Sequence, residues 1–151
     1  MMIHDHPYST LVGRILLGAI FFLSGINKIS DPAGTQGYMA ATGMTWATTF
    51  FYLGAVLIEV CGGLSLWLGY WTRAGAALLI GFMIPTTLIF HTNFADPNQM
   101  IHFMKNLAMT GGLLYLATYG PGPVSLDRRM SGEIGIGSRE STEIMRRRAS
   151  A

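Results

Sequence analysis

The sequence predicts an all-α integral membrane protein, a four-helix bundle with a short interfacial helix in the first outer loop. Three observations predict it. Of the 151 residues 50% are hydrophobic and only 12% charged, too apolar a balance for an ordinary soluble domain of this length. The charges are also segregated: six of the ten basic residues, Arg128, Arg129, Arg139, Arg146, Arg147 and Arg148, follow the last apolar stretch. Finally, the stretch Phe50 to Tyr70, FFYLGAVLIEVCGGLSLWLGY, carries one charged side chain, Glu59. As a helix at ~1.5 Å per residue it spans roughly 30 Å, the thickness of a bilayer's hydrocarbon core.

Taken in order, residues 1–10 lack the basic stretch and small-residue cleavage site of a secretory signal, so the first helix is read as retained. His4 and His6 belong to a polar terminus and are not read as metal ligands. The first apolar run, residues 11–29, places Arg14, Gly18, Phe21, Gly25 and Lys28 on one stripe at steps of four and three, an inward face. Two readings of Arg14 and Lys28 compete, inward orientation and snorkelling to the headgroups at either end. Asp31-Pro32 then supplies an N-cap and a proline at the first helical position, and Gly43 a C-terminal stop, which bounds the interfacial helix.

The second span covers 50–70. Around Glu59 the helical neighbours Ala55, Gly62 and Gly63 are small, whereas Leu57, Leu64 and Leu68 lie elsewhere; a small-residue face lets another helix approach, so Glu59 points into the bundle. A carboxylate near the midplane is costly unless it meets a partner, a proton or water. Cys61 is read as a small buried packing residue. Being alone, it excludes an internal disulfide, dithiol exchange and Cys/His zinc or iron-sulfur chemistry by this chain alone, and no metal ligands are assigned.

A turn around Tyr70 to Arg73 leads to the third span, 74–91, where Pro85 removes an amide donor and Thr86 and Thr87 can satisfy freed carbonyls. The fourth, 97–119, opens on Asp96-Pro97 and stops at Gly120-Pro121-Gly122-Pro123. Only Leu107 to Tyr119 is fully apolar, so the lead-in NQMIHFMKN supplies the remaining length. Its stripe His102, Lys105, Ala108, Gly112 is expected to face the bundle. The membrane domain thus covers 11–123. Residues 124–151, rich in Gly, Ser, Arg and Glu, form a basic, flexible tail able to touch anionic headgroups. Arg14, Arg73 and the tail arginines collect on one side, which makes both termini cytoplasmic.

The segments GRILLGAIFFLSGINKI with DPAG, IEVCGGLSLWLGYWTRAGA, TTLIFH and FMKNLAMTGGLLYL, in this order and spacing, resemble the DoxX family of small four-helix bacterial inner-membrane proteins. The resemblance implies a multi-pass inner-membrane protein. Some members of that family are described as membrane subunits of quinone-linked oxidoreductases, others as redox-stress or assembly components. It supplies no catalytic residue; Glu59, Lys105 and Asn106 are matching motif positions only.

Depth counting from the span boundaries puts Lys105 about 8 Å above Glu59, within reach of a lysine side chain, with Arg14 and Lys28 poorer matches. The candidate site is therefore a cavity opening to the outer side, floored by Glu59 and lined by Lys28, His91, His102, Lys105 and Asn106, with Glu59 and Lys105 as the catalytic candidates and the other four as ligand-binding residues. Arg14 and Asn27 are structural polar groups. Such a cavity suits a quinone: its carbonyls take donors from Lys, His or Asn, and a carboxylate can exchange the proton that accompanies reduction. The chain encodes no redox centre, so electrons would come from a partner oxidoreductase subunit or bound cofactor.

The competing reading makes Glu59 and Lys105 a satisfied ion pair that fixes helix register in a non-enzymatic scaffold or assembly partner. A small-molecule transporter is less favoured, because four short helices leave little room for a pore. The bilayer is the expected partner, alongside an oxidoreductase subunit or further copies of the chain. Nucleic acid is not expected.

Overall fold

A computed structural model of the chain describes residues 7–132. It is all-helical: α1 (Pro7–Ser30), α2 (Pro32–Ala41), α3 (Thr48–Leu68), α4 (Thr72–Phe90) and α5 (Pro97–Tyr119) follow one another, and residues 126–132 are helical again. The four long helices form the bundle, with α1 on α3, α3 on α4 and α4 on α5, while α2 bridges one end. Among the described residues three helices are long and apolar enough to cross a membrane: Tyr8–Ser30, Thr48–Leu68 and Thr72–Phe90. The polar lead-in of α5 keeps it out of that set.

Side-chain chemistry explains the boundaries. The Asp31 carboxylate accepts from Gly34 N at 2.9 Å, and Pro32 occupies the first turn of α2; Asp96 accepts from Asn98 N at 2.9 Å ahead of Pro97 at the start of α5. Gly69, at φ 65°, closes α3 in the left-handed region that favours glycine. In α4, Thr86 Oγ1 donates to Phe82 O at 2.8 Å beside Pro85. Thr87 does not serve a carbonyl as expected; its hydroxyl accepts from Asn106 Nδ2 at 3.0 Å and so ties α4 to α5.

The α1–α3 contact is close because both helices lack side chains where they cross. A Cβ on Gly63 would lie 2.8 Å from Phe22 N and 2.9 Å from Gly18 O, and one on Gly18 would lie 2.9 Å from Gly63 O. The two helices are antiparallel: Tyr52 OH donates to Lys28 O (3.1 Å) near one end and Trp67 Nε1 to Ile15 O (2.8 Å) near the other. The expected α1 stripe is inward, with Arg14 and Phe21 buried, as is the Ala55, Glu59, Gly62, Gly63 face of α3. Leu66, Leu79, Met83, Met109, Leu113 and Leu116 fill the core between them. Leu16, Leu23, Leu57, Leu88 and Leu107 project outward, the exterior a helical membrane protein presents to acyl chains.

Three expectations are corrected. The inward face of α5 is Asn106, Met109, Leu113 and Leu116; Lys105 and Ala108 are exposed, because the longer apolar stripe takes the core and rotates the lysine out. Cys61 is exposed, since Gly62 and Gly63 take the contact face beside it. The chain after Pro123 is docked over 124–132: Ser125 is buried, Asp127 N donates to Gly69 O at 2.8 Å, and the Asp127 carboxylate accepts from Trp71 N (2.8 Å) and Thr72 N (3.0 Å). That carboxylate caps the start of α4, which has no cap of its own. His4, His6 and residues 133–151 lie outside the described residues.

Candidate functional site

A cavity of about 670 Å³ opens under α2, bounded by the end of α1, the first half of α3 and the second half of α4. Its polar end is made by Ser24, Asn27, Lys28 and Glu59. Lys28 Nζ donates to Ser24 Oγ at 2.9 Å and to Glu59 Oε1 at 3.0 Å, and lies 2.7 Å from Glu59 Oε2; Ser24 Oγ donates to Oε1 at 3.1 Å. The Glu59 side chain is 6% exposed and the Lys28 side chain 21%, so the acid is the buried partner and the ammonium the accessible one. The remaining wall is mostly apolar, with Met39, Phe51, Phe82 and Phe90 around the polar end.

The expected partner of Glu59 was Lys105, and the structure gives Lys28 instead. The reason is helix direction. Each Cα–Cβ bond tilts toward its helix's N-terminus. Lys28 is near the C-terminal end of α1, so its side chain runs back into the bundle; Glu59, on the antiparallel α3, leans the opposite way and meets it. Lys105 leans toward the start of α5, away from Glu59, and its Nζ approaches His102 Nδ1 at 3.2 Å.

The other expected site residues divide accordingly. Asn27 and His91 line the cavity with Lys28 and Glu59, whereas Arg14, His102, Lys105 and Asn106 do not. His91 Nδ1 is 2.8 Å from Gln99 Oε1, and its ring stacks on His102 at 5.1 Å between centroids, so His102 stands behind the lining. Asn106 is buried against Thr87. Arg14 is buried at the far end of α1, where its guanidinium donates to Val124 O; it does not snorkel.

Sequence reasoning missed Ser24 and the α2 roof. Ser24 stands four residues before Lys28 on the same helical face, a spacing that could have indicated it. The roof is held by tertiary contacts with no local signal: Thr49 Oγ1 donates to Gln36 Oε1 at 2.8 Å, and the Tyr38 ring stacks on Phe90 at 5.7 Å. Among the described residues no group of three or more His, Cys, Asp or Glu side chains could hold a metal ion.

An all-helical bundle with an apolar exterior, a buried ion pair and a cavity beside it defines a small helical membrane protein. The chain belongs to the DoxX family, whose model matches residues 9–92, from α1 through α4. Among curated proteins it is 42% identical over 121 residues to the inner membrane protein YqjF of Escherichia coli, covering 80% of this chain and 91% of that one. It is 37% identical over 128 residues to the inner membrane protein YphA of the same organism, covering 82% and 91%. A Mycobacterium tuberculosis membrane protein, Rv3486, is 34% identical over 138 residues, covering 84% of each chain. No solved structure matches the chain.

Proposed function

We propose that this chain is an inner-membrane component, with both termini cytoplasmic, that binds the head group of a quinone-type ligand under α2 and serves a membrane oxidoreductase as a partner subunit. The observation that carries the reading is the pairing of a buried carboxylate and a more accessible ammonium at one end of a cavity of about 670 Å³ with largely apolar walls. Ligand sites combine such walls with a few convergent polar groups, and this volume lies within their usual range of about 300–1,000 Å³.

The residues fit a quinone head. Lys28 and Asn27 offer donors to a ring oxygen, Glu59 is placed to hold or release a proton beside it, and the rings of Phe51, Phe82 and Phe90 take the apolar part. The couple's electrons would come from a partner protein; this chain binds, orients and exchanges protons. Lys105 has no part in the site, and His102 supports it only through His91. Inner-membrane placement rests on the relatives' names, and the orientation on Arg14, Arg73, Arg128 and Arg129 lying toward the end where the chain leaves α5.

The test is binding of a short-chain benzoquinone and its quinol to the purified protein in lipid nanodiscs. The expected result is saturable binding that Ile89→Trp blocks, since Ile89 is an exposed residue of the cavity wall whose enlargement fills the space without touching the ion pair. Absence of binding by either compound, or binding indifferent to Ile89→Trp, would overturn the reading.

The scaffold reading keeps one observation in its favour: Lys28, Ser24 and Glu59 already satisfy one another across α1 and α3. On that reading the pair fixes the register of the two helices and the cavity is incidental.

A further inference from the structure

The seam between α3 and α4 is closed at one end and open at the other. On α3, Phe51, Ile58 and Ser65 recur every seven residues and form one stripe; on α4, Gly75, Phe82 and Ile89 do the same. The two helices follow one another through the turn at 69–71, and a Cβ on Gly75 would lie 2.8 Å from Ser65 Cβ. That contact sets the antiparallel register: Ser65 stands opposite Gly75, Ile58 opposite Phe82, and Phe51 opposite Ile89. Near the turn the stripes touch, and Gly62 is packed on Leu79 beside them. Toward α2 they part, and Phe51, Phe82 and Ile89 line the cavity. Between those levels the same register puts Ala55, a small side chain, opposite Pro85, and both line the cavity as well.

The cavity reaches the surface at two places of opposite character. At the corner of α1 and α2 its exposed lining residues are Asn27, Asp31 and Gly34. Along the seam they are Pro85 and Ile89, which lie within Thr72–Phe90, a helix long and apolar enough to cross a membrane. Apolar surface exposed there faces acyl chains. Glu59 is one turn, about 6 Å along α3, beyond Ala55, so the ion pair and this apolar mouth belong to one short path. A molecule that fills the path has a polar head and a hydrocarbon tail.

Resting on the ligand-binding reading, we propose that the ligand is an amphiphile taken from the bilayer. Its head reaches Lys28 and Glu59, and its tail leaves between α3 and α4, past Ala55 and Pro85, into the leaflet on the α2 side. The polar corner under α2 is not the way in. Only binding is involved; no bond is made or broken.

The experiment uses the wild-type chain in lipid nanodiscs and a decyl-tailed benzoquinone carrying a diazirine in the tail. Photolysis is expected to label residues 51–58 or 82–89, and an excess of unlabelled decyl benzoquinone to remove that label. Removable label confined to residues 27–38 overturns this inference and leaves the ligand-binding reading standing. Saturable binding with no removable label along the seam does the same, whereas absence of saturable binding overturns both. Pro85→Trp, which puts a large ring across the mouth from Ala55, should weaken the decyl compound by about tenfold and the tail-free ring by about twofold or less. Equal weakening of the two compounds, or of neither, would also overturn the inference, and the wild-type labelling decides it if this variant does not fold.

Discussion

The Lys28–Glu59 pair makes an asymmetric prediction about stability. At 2.7 Å and an effective dielectric constant of about 20 the gross attraction is about 6 kcal/mol, most of which offsets the desolvation of two charges. Removing one partner does not remove the other's desolvation. Lys28→Met strands a carboxylate that is 6% exposed with only Ser24 as donor, and should cost about 3–5 kcal/mol. Glu59→Gln strands an ammonium that is 21% exposed on a flexible stem; it can swing toward the bundle end, so the loss should be about 1–2 kcal/mol. The double variant leaves neither charge unpaired and should recover at least about 2 kcal/mol of the summed losses. In thermal unfolding of detergent-purified protein these figures correspond to roughly 6–20 °C for Lys28→Met and roughly 2–8 °C for Glu59→Gln. Equal losses from both singles, no loss from either, or a double variant less stable than Lys28→Met would refute the argument.

Further outcomes follow from the same geometry. Lys105→Met should change the melting temperature and ligand binding little, within about 0.5 kcal/mol, because Lys105 is exposed and contacts only His102 by hydrogen bond; a loss matching that of Lys28→Met would restore it to the site. Gly63→Val should destabilise by about 1–3 kcal/mol or more, since its side chain meets the backbone of Phe22 and Gly18, which cannot move without parting the helices; Gly111→Ala, with nothing within 4 Å, is the control expected to be neutral. Asp127→Ala should cost about 0.5–2 kcal/mol by uncapping α4, measured as a fall in melting temperature, and Asp127→Asn should recover part of it because the amide oxygen still accepts one of the two N–H groups.

Much of the architecture was legible because lipid imposes simple rules on a sequence. Runs of apolar residues broken by Asp31-Pro32 and Asp96-Pro97 mark α2 and α5 by the same N-cap chemistry, and the Ala55, Gly62, Gly63 surroundings of Glu59 announced a close helix contact that Gly18 of α1 indeed makes. The docking of residues 124–132 was not legible. Its partners are backbone groups, Val124 O for Arg14, Gly69 O for the Asp127 amide, and Trp71 N and Thr72 N for its carboxylate, and no side-chain pattern encodes which backbone group will be left without a partner at a helix end. The roof of the expected cavity was likewise hidden, because it depends on Met39 and Tyr38 packing across α2 onto α3 and α4.

The misassigned partner of Glu59 is the more instructive case, because the information needed was in the sequence. Counting depth at ~1.5 Å per residue gives the height of a Cα, and allowing a lysine about 6 Å of reach in any direction makes Lys105 the better match. Reach in a helix has a direction. Two residues facing each other on antiparallel helices lean toward one another only when each lies on the C-terminal side of the other's level, which holds for Lys28 and Glu59 and fails for Lys105, whose helix runs parallel to α3. Ser24, one turn back from Lys28 and bonded to both charges, lies along the path that this direction defines. A buried acid in an up-and-down bundle is therefore better paired by first deciding which cations lean toward its level and only then comparing heights, and that order of reasoning favours the end of α1 over the start of α5.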